Sequence, residues 1–189
     1  MKPSRFLVTG PPGVGKTTLV RKVCGELKGH GQFQGFYTEE VRPEGGGDRL
    51  GFDVVTLDGA RGTLARTTRP RNDNKQHPKV GKYVVWVQDF EAIALPMMKI
   101  GTSTPQLVVI DEIGKMELFS EAFEQSIQAV LQCDRPILAT IPQTRQPIPL
   151  IERIKNGPGC TIYTVTRENR NRLVQEITKN ILQANYLSK

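Results

Sequence analysis

Short apolar runs alternate with segments of helical periodicity along most of this chain. Continuous apolar runs are typical of strands buried on both faces, and apolar residues at every third or fourth position are typical of helices packed on a sheet. The strands predicted in this way span residues 5–9, 106–111, 136–141 and 160–165. The predicted helices span residues 14–27, 90–100, 121–132, 150–155 and 168–184. This alternation predicts an α/β fold with a mostly parallel sheet flanked by helices.

Three residues refine two of the predicted helices. Asp89 is the expected N-cap of the helix over 90–100, and Pro96 predicts a kink within it. Ser120 is the expected N-cap of the helix over 121–132. Serine and aspartate are favoured at this position because their side-chain oxygens accept a hydrogen bond from the first helical turn.

The region between the first helix and residue 87 has a different pattern, in which strands are separated by turn residues. Strands are predicted over 33–41, 50–57, 61–65 and 83–87. We expect residues 33–65 to form a small antiparallel hairpin insertion. Residues 67–79 are polar, basic and rich in proline and asparagine, which predicts a mobile surface loop. Since the sequence contains no repeat and no linker, all 189 residues are expected to form a single domain.

The composition excludes several classes of protein. Hydrophobic residues make up 38% and charged residues 24%, as in an ordinary globular domain. The apolar runs are too short for a membrane span or a signal peptide, so we expect a cytoplasmic protein. Three widely spaced cysteines do not predict a disulfide framework, and two histidines are too few for a zinc site of recognisable spacing. We expect a monomer because no heptad pattern or large apolar stripe is present.

The charge balance favours an anionic partner. Lys and Arg number 26 against 19 Asp and Glu, which gives a net charge of +7. The basic residues are scattered, and they are not interleaved with aromatic residues as in proteins that bind single strands. A nucleotide is therefore favoured over nucleic acid.

One motif explains that preference. Residues 10–17 read Gly-Pro-Pro-Gly-Val-Gly-Lys-Thr and match the phosphate-loop pattern G-x-x-x-x-G-K-[ST] between a predicted strand and a predicted helix. Glycines let successive N–H groups point at phosphate oxygens, and the helix start adds the positive end of its dipole. In such a loop the lysine reaches the β- and γ-phosphates, and the threonine hydroxyl binds Mg²⁺. The predicted nucleotide-binding residues here are Gly10, Pro11, Pro12, Gly13, Val14, Gly15, Lys16, Thr17 and Thr18.

Two acids end the apolar strand over 106–111 and complete the predicted site. A phosphate loop needs a carboxylate that holds Mg²⁺ through water, usually at the end of a neighbouring buried strand. Asp111 is the expected partner of that metal, and Thr17 is the expected direct ligand. Glu112 is expected to orient or deprotonate the water that attacks the γ-phosphate. Lys16, Asp111 and Glu112 are therefore the predicted catalytic residues.

Four segments together resemble the small nucleoside triphosphatases of the thermophile-type P-loop NTPase family. The resemblance runs from Arg5 to about Leu173 and is nearest to a eukaryotic member. It implies a RecA- or kinase-like parallel sheet and Mg²⁺-dependent hydrolysis of several triphosphates, such as ATP, GTP, CTP and UTP, to diphosphate and phosphate. Its most specific part is Gly114-Lys115-Met116-Glu117, and Gly114 is taken as a further nucleotide-binding residue. The segments are 10–18, 36–41, 51–55 and 109–117.

Weaker candidates lie at other predicted strand ends. Thr140 ends a strand that we expect between the phosphate-loop strand and the Asp111 strand, where it either senses the γ-phosphate or bonds to neighbouring backbone. Asn169 and Arg170 follow the last strand and are predicted to bind the nucleotide, the alternative being a solvated basic helix start. Lys115 and Glu117 either support Glu112 from behind or form a surface pair.

The arginines between residues 61 and 71 affect the predicted rate of triphosphate hydrolysis. Arg61, Arg66, Arg69 and Arg71 are candidates for a lid over the nucleotide. Because the sequence identifies none of them as aimed at the γ-phosphate, we predict slow basal hydrolysis.

Two other functions stay open at this point. In a nucleoside or nucleotide kinase, Glu112 or Glu39 would activate an acceptor hydroxyl instead of water, and the basic loop over 67–79 would act as a lid. The other is a nucleotide-sensing or nucleic-acid-associated switch. The sequence lacks the Asn-Lys-x-Asp guanine-reading motif, because Asn74-Lys75 is followed by Gln76-His77, and this favours broad base specificity.

Overall fold

The computed structural model describes residues 4–68, 76–99, 107–133 and 135–184. Its strands are β1 Arg5–Thr9, β2 Phe33–Val41, β3 Gly51–Thr56, β4 Arg61–Arg66, β5 Lys79–Val80, β6 Tyr83–Val85, β7 Leu107–Ile110, β8 Ile137–Thr140 and β9 Cys160–Thr164. Its helices are α1 Lys16–Glu26, α2 Val87–Met98, α3 Glu121–Gln132, α4 Pro149–Lys155 and α5 Arg170–Gln183, with a 3₁₀ turn at Glu117–Phe119. No helix within these described ranges has the length and apolar character needed to cross a membrane.

All of the described strands belong to one sheet in the order β5-β6-β4-β3-β2-β7-β8-β1-β9. From β2 to β9 every neighbouring pair is parallel, which confirms the predicted mostly parallel core. From β2 to β5 every pair is antiparallel. β2 belongs to both parts, because it is parallel to β7 and antiparallel to β3. The antiparallel hairpin predicted within 33–65 is present as the pair β2–β3, and β4, β6 and β5 extend it at the edge of the main sheet.

The core lies on both faces of the parallel strands, and successive residues of β7 show how it is divided. Val108 and Ile110 pack on the face covered by α2, α3 and α4, whereas Leu107 and Val109 pack on the face covered by α1 and α5. This alternation follows from the two-residue period of a strand. On the first face, the rings of Phe36, Phe90 and Phe123 form a cluster with centroid separations of 5.1 to 5.7 Å.

The helix ends agree with the sequence in one case and differ in another. Ser120 caps α3 as predicted, and its Oγ accepts a hydrogen bond from the Phe123 N–H at 3.0 Å. Asp89 is not the N-cap of α2: the cap is Trp86, whose carbonyl accepts the first helical bond, from the Phe90 N–H at 3.0 Å. Asp89 lies in the first turn, where a negative charge suits the helix dipole. Pro96 lies inside this helix, two residues before its end at Met98.

The predicted loop over 67–79 ends before Lys79, because that residue begins a strand. Lys79 and Val80 form β5, which pairs with β6. Residues 69–75, the centre of that predicted loop, lie outside the described residues.

A glycine allows the contact that joins the two parts of the sheet. Gly35 of β2 has φ 142°, and a Cβ built on it would overlap the carbonyl oxygen of Val109 in β7. Gly25 in the last turn of α1 has no neighbouring atom within 4 Å of the corresponding point. The two glycines therefore differ in whether a methyl group can be accommodated.

We predict opposite effects for alanine at these two positions. Gly35→Ala should lower the free energy of unfolding by roughly 2–4 kcal/mol because it combines strained backbone with a steric clash. Gly25→Ala should raise it by about 0.5–1 kcal/mol because alanine has the higher helix propensity. Urea unfolding of both variants measures this difference. Equal stability of the Gly35 variant and the unsubstituted protein would show that β2 does not depend on this close approach.

Candidate active site

The loop between β1 and α1 has the geometry of an anion-binding site. β1 ends at Thr9 and α1 begins at Lys16, so the phosphate-loop motif fills the interval between them. Gly15 is the N-cap of α1 and has φ 107°, a left-handed conformation that residues with a Cβ rarely adopt. The first N–H groups of a helix have no helical acceptor, and together with the dipole they favour a phosphate at this end.

Lys16 and the loop residues face a cleft of about 500 Å³. The Lys16 Nζ donates hydrogen bonds to the carbonyl oxygens of Gly10 at 3.1 Å and Pro11 at 3.4 Å, which holds the ammonium group over the loop. Val14 is buried in the core between α1 and the sheet, and it anchors the loop. Pro11 and Val14 border a neighbouring cavity, whereas the other motif residues line the cleft. Those cleft-lining residues are Gly10, Pro12, Gly13, Gly15, Lys16, Thr17 and Thr18.

Asp111 follows β7 and lies almost fully buried next to the start of α1. Its Oδ1 accepts a hydrogen bond from the Thr140 hydroxyl, and its Oδ2 accepts one from the Thr38 N–H at 3.5 Å. The Thr17 hydroxyl also bonds to this carboxyl group. Burial raises the pKa of Asp111, and these hydrogen bonds, together with the charge of Lys16, oppose that rise. The sheet order confirms that the strand ending at Thr140 lies between those of the phosphate loop and Asp111.

Glu112 also lines this cleft, close enough to Lys16 for their charges to interact, and it is half-buried. Burial raises its pKa, the nearby charge of Lys16 lowers it, and the charge of Asp111 raises it again. Glu112 therefore lies near Lys16 of the phosphate loop and is more basic than an exposed glutamate.

Gly114 packs against two carboxyl groups. A Cβ on this residue would lie 2.8 Å from Oε1 of Glu112 and 2.9 Å from Oε2 of Glu117, so any side chain here would displace one of them. Glu117 is buried, and that burial, with the charge of Glu112, raises its pKa to about 8. Lys115 and Glu117 were the two candidates for supporting Glu112. Glu117 is buried and contacts Gly114 as Glu112 does, whereas Lys115 is exposed.

The residues after β9 approach the loop from the other side. Arg170 donates a hydrogen bond from Nη1 to the carbonyl oxygen of Val14 at 3.5 Å, and with Thr18 it lines a cavity of about 220 Å³. Asn169 uses its side chain within its own turn: Oδ1 accepts from the Thr166 N–H at 2.8 Å, and Nδ2 donates to the Thr164 carbonyl at 2.9 Å. Arg170 thus faces the candidate nucleotide site, and Asn169 shapes the turn that precedes it.

The candidate lid arginines are engaged elsewhere in the described structure. Arg61 pairs with Asp53 at 2.8 Å and with Glu39, and Arg66 also pairs with Asp53. These pairs link β4 to β3 and to β2, and they give both arginines a structural role in the antiparallel part of the sheet. Arg69 and Arg71 lie outside the described residues.

Arg49 is a cleft residue that the sequence did not indicate. It lines the cleft, its guanidinium group lies 5.1 Å from the centroid of the Phe52 ring, and it pairs with Glu40. The positions of Arg49 and Phe52 depend on the folding of β3 beside β2, and no motif spacing in the sequence predicts that arrangement.

Comparison with known proteins identifies the family. The sequence profile of a family described as NTPase matches residues 5–178. The chain belongs to this NTPase family. Its match to the family confirms the resemblance found in the sequence.

Two relatives and one solved structure illustrate the similarity. The chain is 48% identical to the cancer-related nucleoside-triphosphatase of Homo sapiens over 177 residues, which cover 90% of this chain and 92% of that protein. It is 40% identical to the nucleoside-triphosphatase THEP1 of Thermotoga sp. (strain RQ2), with 92% of each chain covered. The solution structure of a human cancer-related nucleoside triphosphatase superposes with a TM-score of 0.79 at 45% identity, covering 95% of this chain and 97% of that one. These matches cover nearly the whole chain, so the similarity to P-loop NTPases is not confined to the phosphate-loop motif.

The buried carboxyl group of Glu117 predicts a pH dependence of stability in this NTPase-family chain. Unfolding exposes Glu117, whose pKa then returns to about 4.3, so between pH 5 and pH 8 the unfolded state binds fewer protons than the folded state. Stability therefore falls as the pH rises through this window. In the Glu117→Gln variant this contribution is absent. We therefore compare the free energy of unfolding of this variant with that of the unsubstituted protein at each pH. The value for the variant minus the value for the unsubstituted protein should increase by on the order of 3 kcal/mol from pH 5 to pH 8.

Urea unfolding at several pH values measures this difference. Glu44→Gln, which changes an exposed loop carboxyl, serves as the control and should give a flat difference. If the difference in free energy of unfolding did not change with pH for the Glu117 variant either, the result would contradict a protonated Glu117.

Proposed function

We propose that this chain hydrolyses nucleoside 5′-triphosphates to nucleoside diphosphate and phosphate, with Mg²⁺, broad base specificity and slow basal turnover. The observation that carries this proposal is the convergence of Lys16, Thr17, Asp111 and Glu112 at one end of the parallel sheet. Membership in the NTPase family supports the same reaction class. We also propose that residues 1–189 act as one catalytic domain and as a monomer.

The phosphate loop binds the triphosphate in this proposal. The N–H groups at the start of α1 and the Lys16 ammonium group neutralise the negative charge that develops on the β- and γ-phosphates. Arg49 adds a further positive charge to the cleft wall. Because its guanidinium group also pairs with Glu40, we infer that Arg49 contributes to binding rather than to the acceleration of the chemical step. Slow basal turnover is consistent with that arrangement.

The donor set at Thr17 and Asp111 fits a magnesium ion. Both groups supply hard oxygen atoms, and they lie within hydrogen-bonding distance of each other at the base of the cleft. Thr17 would bind the ion directly and Asp111 through water, in keeping with the tendency of Mg²⁺ to retain several waters. When bound, the ion supplies neutralising charge to the β- and γ-phosphate oxygens.

Glu112 acts on the water. Its carboxylate accepts a proton from a water molecule as the water oxygen bonds to the γ-phosphorus, and the bond from that phosphorus to the bridging oxygen breaks to release the diphosphate. The Thr140 hydroxyl and the Thr38 N–H hold Asp111. Gly114 contributes to this site by leaving room for the Glu112 side chain.

The base lies, in this proposal, in the cavity lined by Thr18 and Arg170. Asn169 acts indirectly, since its side chain fixes the turn that presents Arg170. Contacts from a flexible arginine discriminate weakly among bases, which is consistent with broad specificity. We propose that the protein works in the cytoplasm, where its unpaired Cys24, Cys133 and Cys160 would remain reduced.

The roles of these residues predict a separation between catalysis and binding. Glu112→Gln should lower phosphate release from ATP, GTP, CTP and UTP by roughly 10²–10⁴-fold because the proton acceptor is lost. Nucleotide affinity should change by less than about threefold because the phosphate loop is intact. Unsubstituted protein should release phosphate from all four triphosphates, with added Mg²⁺, at a rate below ~10 s⁻¹.

Phosphate release and calorimetric nucleotide binding measure the two properties. The control is Glu26→Gln, which changes an exposed carboxyl at the far end of α1. Full activity of the Glu112 variant would remove this residue from the mechanism, and tight binding without any release would remove hydrolysis as the function.

A further inference from the structure

A second cavity adjoins the phosphate cleft on the far side of Glu112. It has a volume of about 270 Å³, and it shares Thr38, Phe52, Glu112 and Pro142 with the cleft. The two cavities therefore meet at the carboxyl group that is placed to accept a proton beside the γ-phosphate. A molecule in the second cavity would lie against the same Glu112 side chain that lines the phosphate cleft.

The walls of this cavity are mainly apolar and come largely from the antiparallel extension of the sheet. Strands β3, β4 and β5 each contribute one wall residue, and the segments before the 3₁₀ turn and before α4 contribute the others. These apolar residues are Phe52, Leu64, Val80, Met116 and Ile148. The Phe52 ring is held by an edge contact with Tyr83, with centroids 5.3 Å apart. The extension thus builds a site that the phosphate loop alone does not require.

The polar groups of the cavity select against an anion. Glu112 and Glu117 both line it, and Glu117 keeps its proton at neutral pH, so it can donate a hydrogen bond. A carboxylate or phosphate group placed beside Glu112 would be repelled and would have to be desolvated. Lys115 and Thr144 are exposed residues of the lining. An uncharged hydroxyl group therefore suits the inner end of the cavity, and an apolar body suits its walls.

The size of the cavity limits what it holds. Its volume of about 270 Å³ is enough for a small molecule and is about half that of the phosphate cleft. Apolar walls are better covered by hydrocarbon than by water, by about 25 cal/mol for each Å² removed from solvent. The matching class is a small alcohol with one ring or a short chain.

We propose that this cavity is an acceptor site, in which a small uncharged alcohol with an apolar body takes the γ-phosphoryl group in place of water. The inference rests on the proposed function, because it uses the same phosphate loop and the same Glu112. The alcohol oxygen bonds to the γ-phosphorus while its proton passes to the Glu112 carboxylate. The bond from phosphorus to the bridging oxygen breaks, and the nucleoside diphosphate leaves with the electron pair. The products are an alkyl phosphate and the diphosphate.

Partition between water and alcohol tests this proposal. The complete protein is incubated with Mg²⁺, γ-³²P-labelled ATP and about 10 mM of one of three probes: 2-phenylethanol, cyclohexylmethanol or 1-hexanol. If the alcohol had no site, about 10 mM of it against roughly 55 M water would capture only ~0.02% of the phosphoryl groups. We expect at least one probe to capture more than about 10%, as measured by chromatography of the labelled products. Phenylacetate, which has the ring but carries a carboxylate, should bind at least tenfold more weakly than 2-phenylethanol in ligand-observed NMR.

Two substitutions at one position supply the matched controls. Val80 is half-buried on the short strand β5, so it can be changed without altering the phosphate cleft. Val80→Phe should fill the cavity and abolish alkyl phosphate formation while phosphate release to water continues. Val80→Ala should retain the transfer.

The outcomes separate the two proposals. Phosphate release with no alkyl phosphate from any of the three alcohols, or alcohol binding without transfer, would overturn the acceptor site and leave hydrolysis standing. Transfer that persists in Val80→Phe would also overturn it. Absence of both products would instead show that the proposed function itself has failed.

Discussion

The buried carboxyl group of Asp111 is the constraint on which the fold and the candidate active site both depend. Its side chain is almost fully buried, and a buried carboxylate without partners costs several kcal/mol. Donors come from the start of α1 through Thr17, from the end of β8 through Thr140 and from the main chain of β2 at Thr38. Satisfying this one group therefore fixes three separate elements relative to β7.

The same hydrogen bonds also set the position of the phosphate loop relative to Glu112. The phosphate loop cannot move away from β7 without breaking the hydrogen bond between Thr17 and Asp111. Glu112 is the next residue along the chain, so its distance from the loop is set by the same contact. Three neighbouring carboxyl groups then differ by environment: Asp111 is hydrogen-bonded, Glu112 faces Lys16, and Glu117 keeps its proton in a buried position. In the proposed mechanism these three groups are a metal partner, a proton acceptor and a neutral hydrogen-bond donor.

The parts of the fold that depend on local pattern were predictable from the sequence. The apolar run ending at Asp111, the Ser120 cap and the phosphate-loop motif each rest on residues adjacent in the chain. Other parts depend on pairing between distant segments. The sequence predicts the hairpin of β2 with β3, but it does not show that β2 would also pair with β7, that Arg49 would line the phosphate cleft, or that Glu117 would be buried. The predicted N-cap at Asp89 is wrong because Asp is favourable both at an N-cap and in the first turn, where the structure places it.

A crystal structure with a non-hydrolysable triphosphate analogue and Mg²⁺ tests the central claim most directly. The account predicts that the β- and γ-phosphates lie on the N–H groups at the start of α1, in contact with Lys16, with the metal on Thr17 and one water between it and Asp111. The terminal phosphate should point toward Glu112. A triphosphate bound at another part of the chain, or one whose terminal phosphate points away from Glu112, would contradict the account.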